Sequence, residues 1–359
     1  MNQNSPLQVG IVGASAKSGW AKMSHVPAIK GLPGLKLAAV AASSEQSARE
    51  AAEAFGAERW FSDPFAMIRD DQIDIIAVSV RVPSHREFVL AALAAGKAVY
   101  CEAPLGRSVQ ETEEMTRAVG SLHTAIGLQG ALNPSVRRAA QLVPSGKIGR
   151  PLSARVVCNT FGFEPELPAS QDYFNKAGSG ANLLTINGGH TLDALEVILG
   201  EIVEVDARTE IVWATVTLKG TGEKSSREVP DQVSILGKTR SGTVFTADLN
   251  ARVTAGEMFR FEIRGSEGWL RLTSDHPYGF QAGEVGLKSN VAFTPPVEPA
   301  VFGAPATAIN VGEVYASLVR DMNAGTYDTP GFQLALHNAR LVEAVRRAAE
   351  RGERQRVTS

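Results

Sequence analysis

Two stretches of this chain carry residues whose types and spacing could do chemistry. The first is Val9-Gly10-Ile11-Val12-Gly13-Ala14-Ser15-Ala16-Lys17-Ser18-Gly19, an apolar run that passes through a glycine-bounded turn into a helical pattern. Such a turn leaves main-chain N–H groups free beside a helix N-terminus, whose partial positive charge suits a pyrophosphate. It therefore predicts a bound dinucleotide. The usual spacing is G-x-G-x-x-G. Here Gly13 is the first glycine, Ser15 stands at the second, and the third arrives one residue late at Gly19. A glycine turn after a strand is as often plain punctuation, so the reading depends on what surrounds it.

The second stretch is Ala41-Ala42-Ser43-Ser44, at the end of the next apolar run. An NAD-binding fold commonly carries a carboxylate there for the ribose 2′-hydroxyl. This chain has none until Glu45, the hydroxyls of Ser43 and Ser44 could donate to a 2′-phosphate, and Arg49 is close in sequence. The pattern favours NADP over NAD as the cofactor and leaves both open.

The elements that must position these residues follow from hydrophobic periodicity. Apolar runs at 7–12, 35–41, 73–80, 98–101 and 124–128 read as strands, and 44–55, 64–69, 85–95 and 109–120 have helical spacing. Strands alternating with helices imply parallel βαβ units, and such a sheet binds its ligand beyond the carboxyl ends of its strands. The glycine turn lies at that edge, which raises the dinucleotide reading from even to strong. After about residue 129 the pattern changes. A helix over 134–142 precedes strands with period-two alternation at 152–160, 202–211, 232–236, 243–249, 259–264 and 269–272. These predict an open, mostly antiparallel sheet with one packed and one wet face. Helices are expected at 183–199, 312–323 and 332–350, and an exposed loop at 294–305. The fold class expected is α/β: a dinucleotide-binding Rossmann domain over 1–128 and an α+β domain over 129–359, whose C-terminal helices pack on the sheet or back on the first domain.

Composition agrees. The 359 residues are 44% hydrophobic and 21% charged, enough for two cores. A net charge of −2 and a pI near 6.3 give no electrostatic footprint for nucleic acid or an anionic membrane. No apolar run approaches the roughly 20 residues of a bilayer span. The opening Met1-Asn2-Gln3-Asn4-Ser5-Pro6 lacks the parts of a secretory signal, and the two cysteines, Cys101 and Cys158, read as reduced thiols without metal spacing. A cytoplasmic protein with no metal is expected.

The order of pieces resembles the glucose–fructose oxidoreductase and inositol dehydrogenase (Gfo/Idh/MocA) family over nearly the whole chain. Val82-Pro83-Ser84-His85, followed by Ala94-Ala95-Gly96-Lys97-Ala98-Val99-Tyr100-Cys101-Glu102-Ala103-Pro104-Leu105, is similar to its second signature. Gly188-Gly189-His190-Thr191-Leu192-Asp193 is similar to its catalytic helix, and Gly265-Ser266-Glu267-Gly268-Trp269-Leu270 to a turn of its C-terminal sheet. Within the family the likeness runs to the branch of the fungal galactose-regulon repressor and its bacterial relatives. It is carried by Lys17-Ser18-Gly19-Trp20-Ala21, His25-Val26-Pro27-Ala28-Ile29, Leu128-Gln129-Gly130 and Val229-Pro230-Asp231.

The resemblance implies that Gly13, Ser15, Lys17, Gly19, Trp20, Ser43, Ser44, Val82, Pro83, His85, Glu102 and Gln129 face the cofactor, with Glu102 near the nicotinamide ribose. It implies that His190 is the acid/base and that Asn187, His190 and Tyr173 meet a hydroxylated substrate. Two polar members of the family's usual set are absent: Ala103 stands where a lysine is common, and Ile186 where an aspartate is. Tyr173 and Lys176 are candidate substitutes. Asp193, one helical turn past His190, could orient its ring or be a structural carboxylate, while Lys97 reads as solvated. Three functions remain in order: an NAD(P)-dependent oxidoreductase on a sugar, polyol or related compound, a dinucleotide-sensing binding protein without turnover, and a redox-neutral enzyme with retained cofactor. A homodimer or homotetramer through the open sheet face is implied.

Overall fold

The computed structural model describes residues 5–251 and 258–357. In chain order the first elements are β1 (Leu7–Val12), a π-helical turn (Ala21–His25), α1 (Val26–Gly31), β2 (Leu35–Ala41), α2 (Glu45–Phe55), β3 (Arg59–Phe61), α3 (Pro64–Ile68), β4 (Ile75–Val78), α4 (His85–Ala94), β5 (Ala98–Glu102), α5 (Val109–Arg117) and β6 (Thr124–Gly127). Then come α6 (Pro134–Leu142), β7 (Pro151–Thr160), β8 (Glu166–Pro168), a second π-helical turn (Leu184–Gly188), α7 (Gly189–Leu199), β9 (Ile202–Glu210), β10 (Thr215–Lys219) and β11 (Lys224–Ser226). The chain ends with β12 (Gln232–Thr239), β13 (Val244–Ala251), β14 (Phe259–Gly265), β15 (Trp269–Ser274), β16 (Gly286–Ser289), α8 (Ala306–Ala324), α9 (Phe332–Arg351) and β17 (Gln355–Arg356).

Two compact units result: Met1–Gln129 with Glu298–Leu336, and Gly130–Val297 with His337–Ser359. The first is built on a six-stranded parallel sheet of order β3-β2-β1-β4-β5-β6. Its central strands are apolar without alternation, because helices cover both faces; Ile75, Ile76, Ala77 and Val78 of β4 have no exposure. The order reverses between β1 and β4, which fixes where such a sheet takes its ligand. The edge strand β3 leaves no trace in the sequence pattern, since three residues with an exposed Trp60 carry no apolar period.

The first break falls between Gln129 and Gly130, and residues 298–336, including α8, return to the first unit, one of the two placements the sequence left open for the C-terminal helices. Within that unit Ile126 N donates to Pro330 O at 2.8 Å, Thr116 Oγ1 to Phe332 O at 3.1 Å, and Val301 fills the space left by Gly31 and Gly312. In the expected loop over 294–305, Phe302 is exposed but Val301 is buried.

The second unit holds an eight-stranded sheet of order β16-β15-β14-β7-β13-β12-β9-β17, antiparallel except for the β7–β13 pair. Alternation along β13 and β14 buries Phe245, Ala247, Leu249, Phe259, Phe261 and Ile263 on one face against α7 and the later turns of α9. A small sheet, β11-β10-β8, flanks it. Arg227 and Asp231 form a buried ion pair, and Asp231 accepts from the amides of Val212 and Trp213 at 2.8 and 3.0 Å. Cys101 and Cys158 are buried free thiols, one in each unit, and burial pushes the Cys158 thiol up to about 12. Among the described residues no helix is long and apolar enough to cross a membrane.

Candidate functional site

In the first unit the residues expected at the cofactor lie at or beyond the carboxyl ends of β1, β2, β4, β5 and β6. β1 ends at Val12, and Gly13 has φ +94° with so little room that a Cβ there would stand 2.4 Å from Ser79 O, so both the angle and the space call for glycine. Gly19 takes φ +116°. The helical segment starts only after Gly19, not directly behind Ser15 as the turn suggested, so residues 13–19 form a loop. The amides of Gly13 and Ala14 are already given to Ala41 O at 3.0 and 3.2 Å. Those of residues 15–19 meet no acceptor among the described residues. Consecutive unpaired amides on a loop bounded by two left-handed glycines fit a diphosphate. Trp20 Nε1 and Gln129 Oε1 are buried without a hydrogen-bond partner, each costing about 1–3 kcal/mol unless a ligand or water supplies one.

Other expected cofactor residues have different work. Ser44 caps α2, its Oγ accepting from Ser47 N at 3.2 Å and lying 2.7 Å from Ser47 Oγ. Arg49 pairs with Glu45 at 2.6 Å and lies over the Trp60 ring, while Ser43 is exposed. Val82 and Pro83 form a single 3₁₀ turn. His85 is buried with Nδ1 at 3.1 and 3.2 Å from the carbonyls of Pro104 and Leu105, and Nε2 at 3.1 Å from Val80 O. Both nitrogens face backbone carbonyls, to which a neutral ring donates from only one of them, so His85 is packed into the sheet edge. Burial lowers its pKa, opposed by those carbonyls and by Glu102. Lys97 is a correction: it is buried, its Nζ donating to Asp70 O and Ile73 O at 2.8 Å each.

Glu102 ends β5, just before the cis peptide at Ala103–Pro104. Its carboxylate accepts from His25 Nε2 at 2.8 Å, and His25 Nδ1 lies 2.8 Å from Tyr315 Oη. Neither His25 nor Tyr315 was singled out as a site residue. The only signal was His25's place in the His25-Val26-Pro27 motif, since the partners lie 77 and 290 positions away.

In the second unit His190 is the second residue of α7, directly after the π-helical turn Leu184–Gly188. Such turns mark functional positions more often than chance. At Gly188 a Cβ would stand 2.9 Å from Leu184 Cδ1, so a larger residue there would make that leucine side chain shift. His190 is 3% exposed, edge-on to Phe280 at 6.4 Å, with Nδ1 buried and unpartnered. Burial lowers its pKa to about 3, so the imidazole is neutral at pH 7 as expected but does not titrate near 7. Asp193 is buried and both carboxyl oxygens lack a partner. The orienting hydrogen bond from Asp193 to His190 is therefore not formed. Burial, and to a lesser degree Glu196, raise the Asp193 pKa to about 8. Asn187 is buried within the π-helical turn. Tyr173 packs on Phe174 at 4.1 Å, and Lys176 Nζ donates to Ser225 Oγ and Ser226 O at 2.9 Å each. Lys176 is thus held by β11, and Ile186 is half-buried with no proton to give.

Comparison with known proteins fits these two halves. Residues 7–128 match the oxidoreductase family with an NAD-binding Rossmann fold (Gfo/Idh/MocA), and residues 134–274 match the Gal80p C-terminal domain. Dehydrogenase aclE of Aspergillus oryzae is 28% identical over 74% of this chain and 76% of its own. The crystal structure of a super-repressor mutant of Gal80p from Saccharomyces cerevisiae superposes with a TM-score of 0.86 at 22% identity, covering 98% of each chain. Levoglucosan dehydrogenase in complex with NADH and levoglucosan gives 0.83 at 23% identity, over 99% of this chain and 100% of the other. The first unit is thus matched by the model of the Gfo/Idh/MocA oxidoreductase family with its NAD-binding Rossmann fold, and the second by the model of the Gal80p C-terminal domain.

Proposed function

We propose that this protein is an NAD(P)-dependent oxidoreductase acting on a sugar, polyol or related hydroxylated small molecule, with His190 handling the hydroxyl proton. The observation that carries the reading is His190 itself: a neutral, buried imidazole whose Nδ1 has no partner, placed by a π-helical turn. A group kept at that cost suits a ligand that completes it. The loop from Gly13 to Gly19 holds the diphosphate through its unpaired amides, and Glu102 accepts from a hydroxyl at the end of β5. When bound, the nicotinamide ring gives or takes a hydride. His190 accepts the hydroxyl proton only with a partner that offsets its burial, so substrate binding must raise its basicity. Asn187 and Tyr173 would orient the substrate. NADP is favoured by the carboxylate-free Ala41–Ser44 segment, although Ser44 and Arg49 are already engaged.

Ala103 and Ile186 support a second reading, a dinucleotide-binding regulator without turnover, as does the likeness of the second unit to Gal80p. The two separate in one experiment. The purified chain is analysed by mass spectrometry for retained coenzyme, then offered NAD and NADP with a panel of sugars and polyols. Near-ultraviolet absorbance of reduced nicotinamide that appears with substrate and vanishes in His190→Ala supports the enzyme. Tight coenzyme binding with no reduction across the panel overturns it in favour of the regulator.

We also propose a cytoplasmic homo-oligomer formed through the outer face of the eight-stranded sheet. That face carries charges of both signs around a concavity of about 590 Å³ that includes Arg155, Asp206, Arg208, Asp248 and Arg260. Light scattering that reports a monomer at micromolar concentration would remove this element alone.

A further inference from the structure

We propose that His25 and Tyr315 are positioning residues for Glu102, fixing one of its carboxylate oxygens so that the other is aimed at a coenzyme hydroxyl. The inference rests on the dinucleotide reading above. Glu102 is the last residue of β5, at the strand edge where open parallel sheets bind ligands. Its Oε1 is taken by His25 Nε2 at 2.8 Å. Its Oε2 makes no hydrogen bond among the described residues and lies over Gly127, where a Cβ would come within 2.8 Å of it. Glycine at 127 therefore keeps open the space that this oxygen occupies.

The chain behind Glu102 has one consistent proton arrangement when the imidazole is neutral. A carboxylate can only accept, so His25 Nε2 carries the hydrogen. Nδ1 then offers its lone pair, and Tyr315 donates its O–H across 2.8 Å. His25 has no exposed side-chain surface, whereas Glu102 keeps 15%. The ring cannot swing away. Tyr100, two residues before Glu102, packs edge-on against it at 4.9 Å between centroids and against Tyr315 at 4.8 Å, while Tyr315 stands edge-on to His25 at 5.7 Å.

The placement of His25 adds a link. It closes the π-helical turn that begins two residues after Gly19, so one element carries both the diphosphate loop and the brace for Glu102. Tyr315 comes from α8, which ties this edge to the returning segment of the first unit. With Ala103 in place of a lysine, Glu102 is the ionisable group of the Glu102-Ala103-Pro104 turn, and its aim matters correspondingly more.

The test is a double-mutant cycle on the full chain, with Tyr315→Phe, Glu102→Gln and both together. It reads the Kd of NADH and NADPH by fluorescence and the His25 ring nitrogens by long-range ¹H–¹⁵N spectra. Tyr315→Phe is expected to weaken the tighter-binding coenzyme about five-fold and to shift the Nδ1 resonance. In the Glu102→Gln background the same change should alter Kd less than about two-fold. Equal losses in both backgrounds, or a spectrum with the hydrogen on Nδ1, overturn the positioning role while leaving the dinucleotide reading intact. No coenzyme binding by the unmodified protein defeats that reading first, and the proposal with it. If Tyr315→Phe does not fold, His25→Gln, which keeps a donor for Glu102 and drops the tyrosine link, enters the same cycle.

Discussion

The two units each present a fully buried histidine beside a π-helical turn, and the two are treated in opposite ways. His25 has both ring nitrogens bonded within its own unit, to Glu102 and Tyr315. His190 has Nδ1 bare, and Asp193, one turn on, has two bare carboxyl oxygens. Completed hydrogen bonds hold a neighbour in place, whereas an open buried polar group costs stability and persists where something else supplies the partner. This contrast matches the proposed positioning role of the first histidine and the proposed proton-handling role of the second.

The largest effect expected from breaking that contrast is on turnover. His190→Ala should lower kcat by about 10²–10⁴-fold while the Kd for the reduced coenzyme stays within about two-fold. A Kd that rises with the kcat loss would place His190 on the coenzyme rather than the substrate. Next comes the loop proposed above to hold the diphosphate. Gly13→Ala forces a Cβ to 2.4 Å from Ser79 O at φ +94°, which should destabilise the protein by about 3 kcal/mol and weaken coenzyme binding. Chemical denaturation with and without coenzyme measures both.

A smaller effect sharpens the second half of the contrast. Asp193 keeps its proton up to about pH 8 in the folded chain, while in the unfolded chain it releases it near pH 4. The unfolded state thus binds fewer protons in between, and stability falls as pH rises through that window. Asp193→Asn removes this loss. Its melting temperature should exceed that of the unmodified protein by several degrees at about pH 8 and converge with it near pH 4. A constant gap across that range would mean the carboxyl is ionised when buried. The smallest effect concerns Ser44, whose hydroxyl is engaged as a helix cap. Ser44→Ala should cost about 1 kcal/mol and leave the preference between NADH and NADPH unchanged. A large loss specific to NADPH would return the hydroxyl to the 2′-phosphate.

Much of the fold is legible in the residues. The limits of β1, β2 and α6 follow from apolar periodicity, helped by Gly13 after β1, Gly34 before β2 and Pro134 at the start of α6. Short elements are not legible: β3, β8 and β11 span three residues each, too few for a period to show. The candidate site divides the same way. The glycine loop and the histidine helix are local patterns, and their positions could be read. The jobs of Ser44, His85 and Lys97 could not, because a serine before a helix serves equally as cap or donor. Whether a histidine or lysine meets carbonyls depends on strands elsewhere in the chain.

What the sequence determined by itself is therefore local: a strand that breaks at Gly13, a loop of small residues around Lys17, a histidine behind two glycines at 188 and 189, and missing polar groups at 103 and 186. Backbone sterics and hydrophobic period act over a few residues, and a single chain carries that information openly. Tertiary structure alone decided that His25 reaches Glu102 and Tyr315, and that His190 and Asp193 are left bare. Hydrogen-bond satisfaction depends on which atoms arrive within about 3 Å, and those atoms come from positions 77 and 290 residues apart.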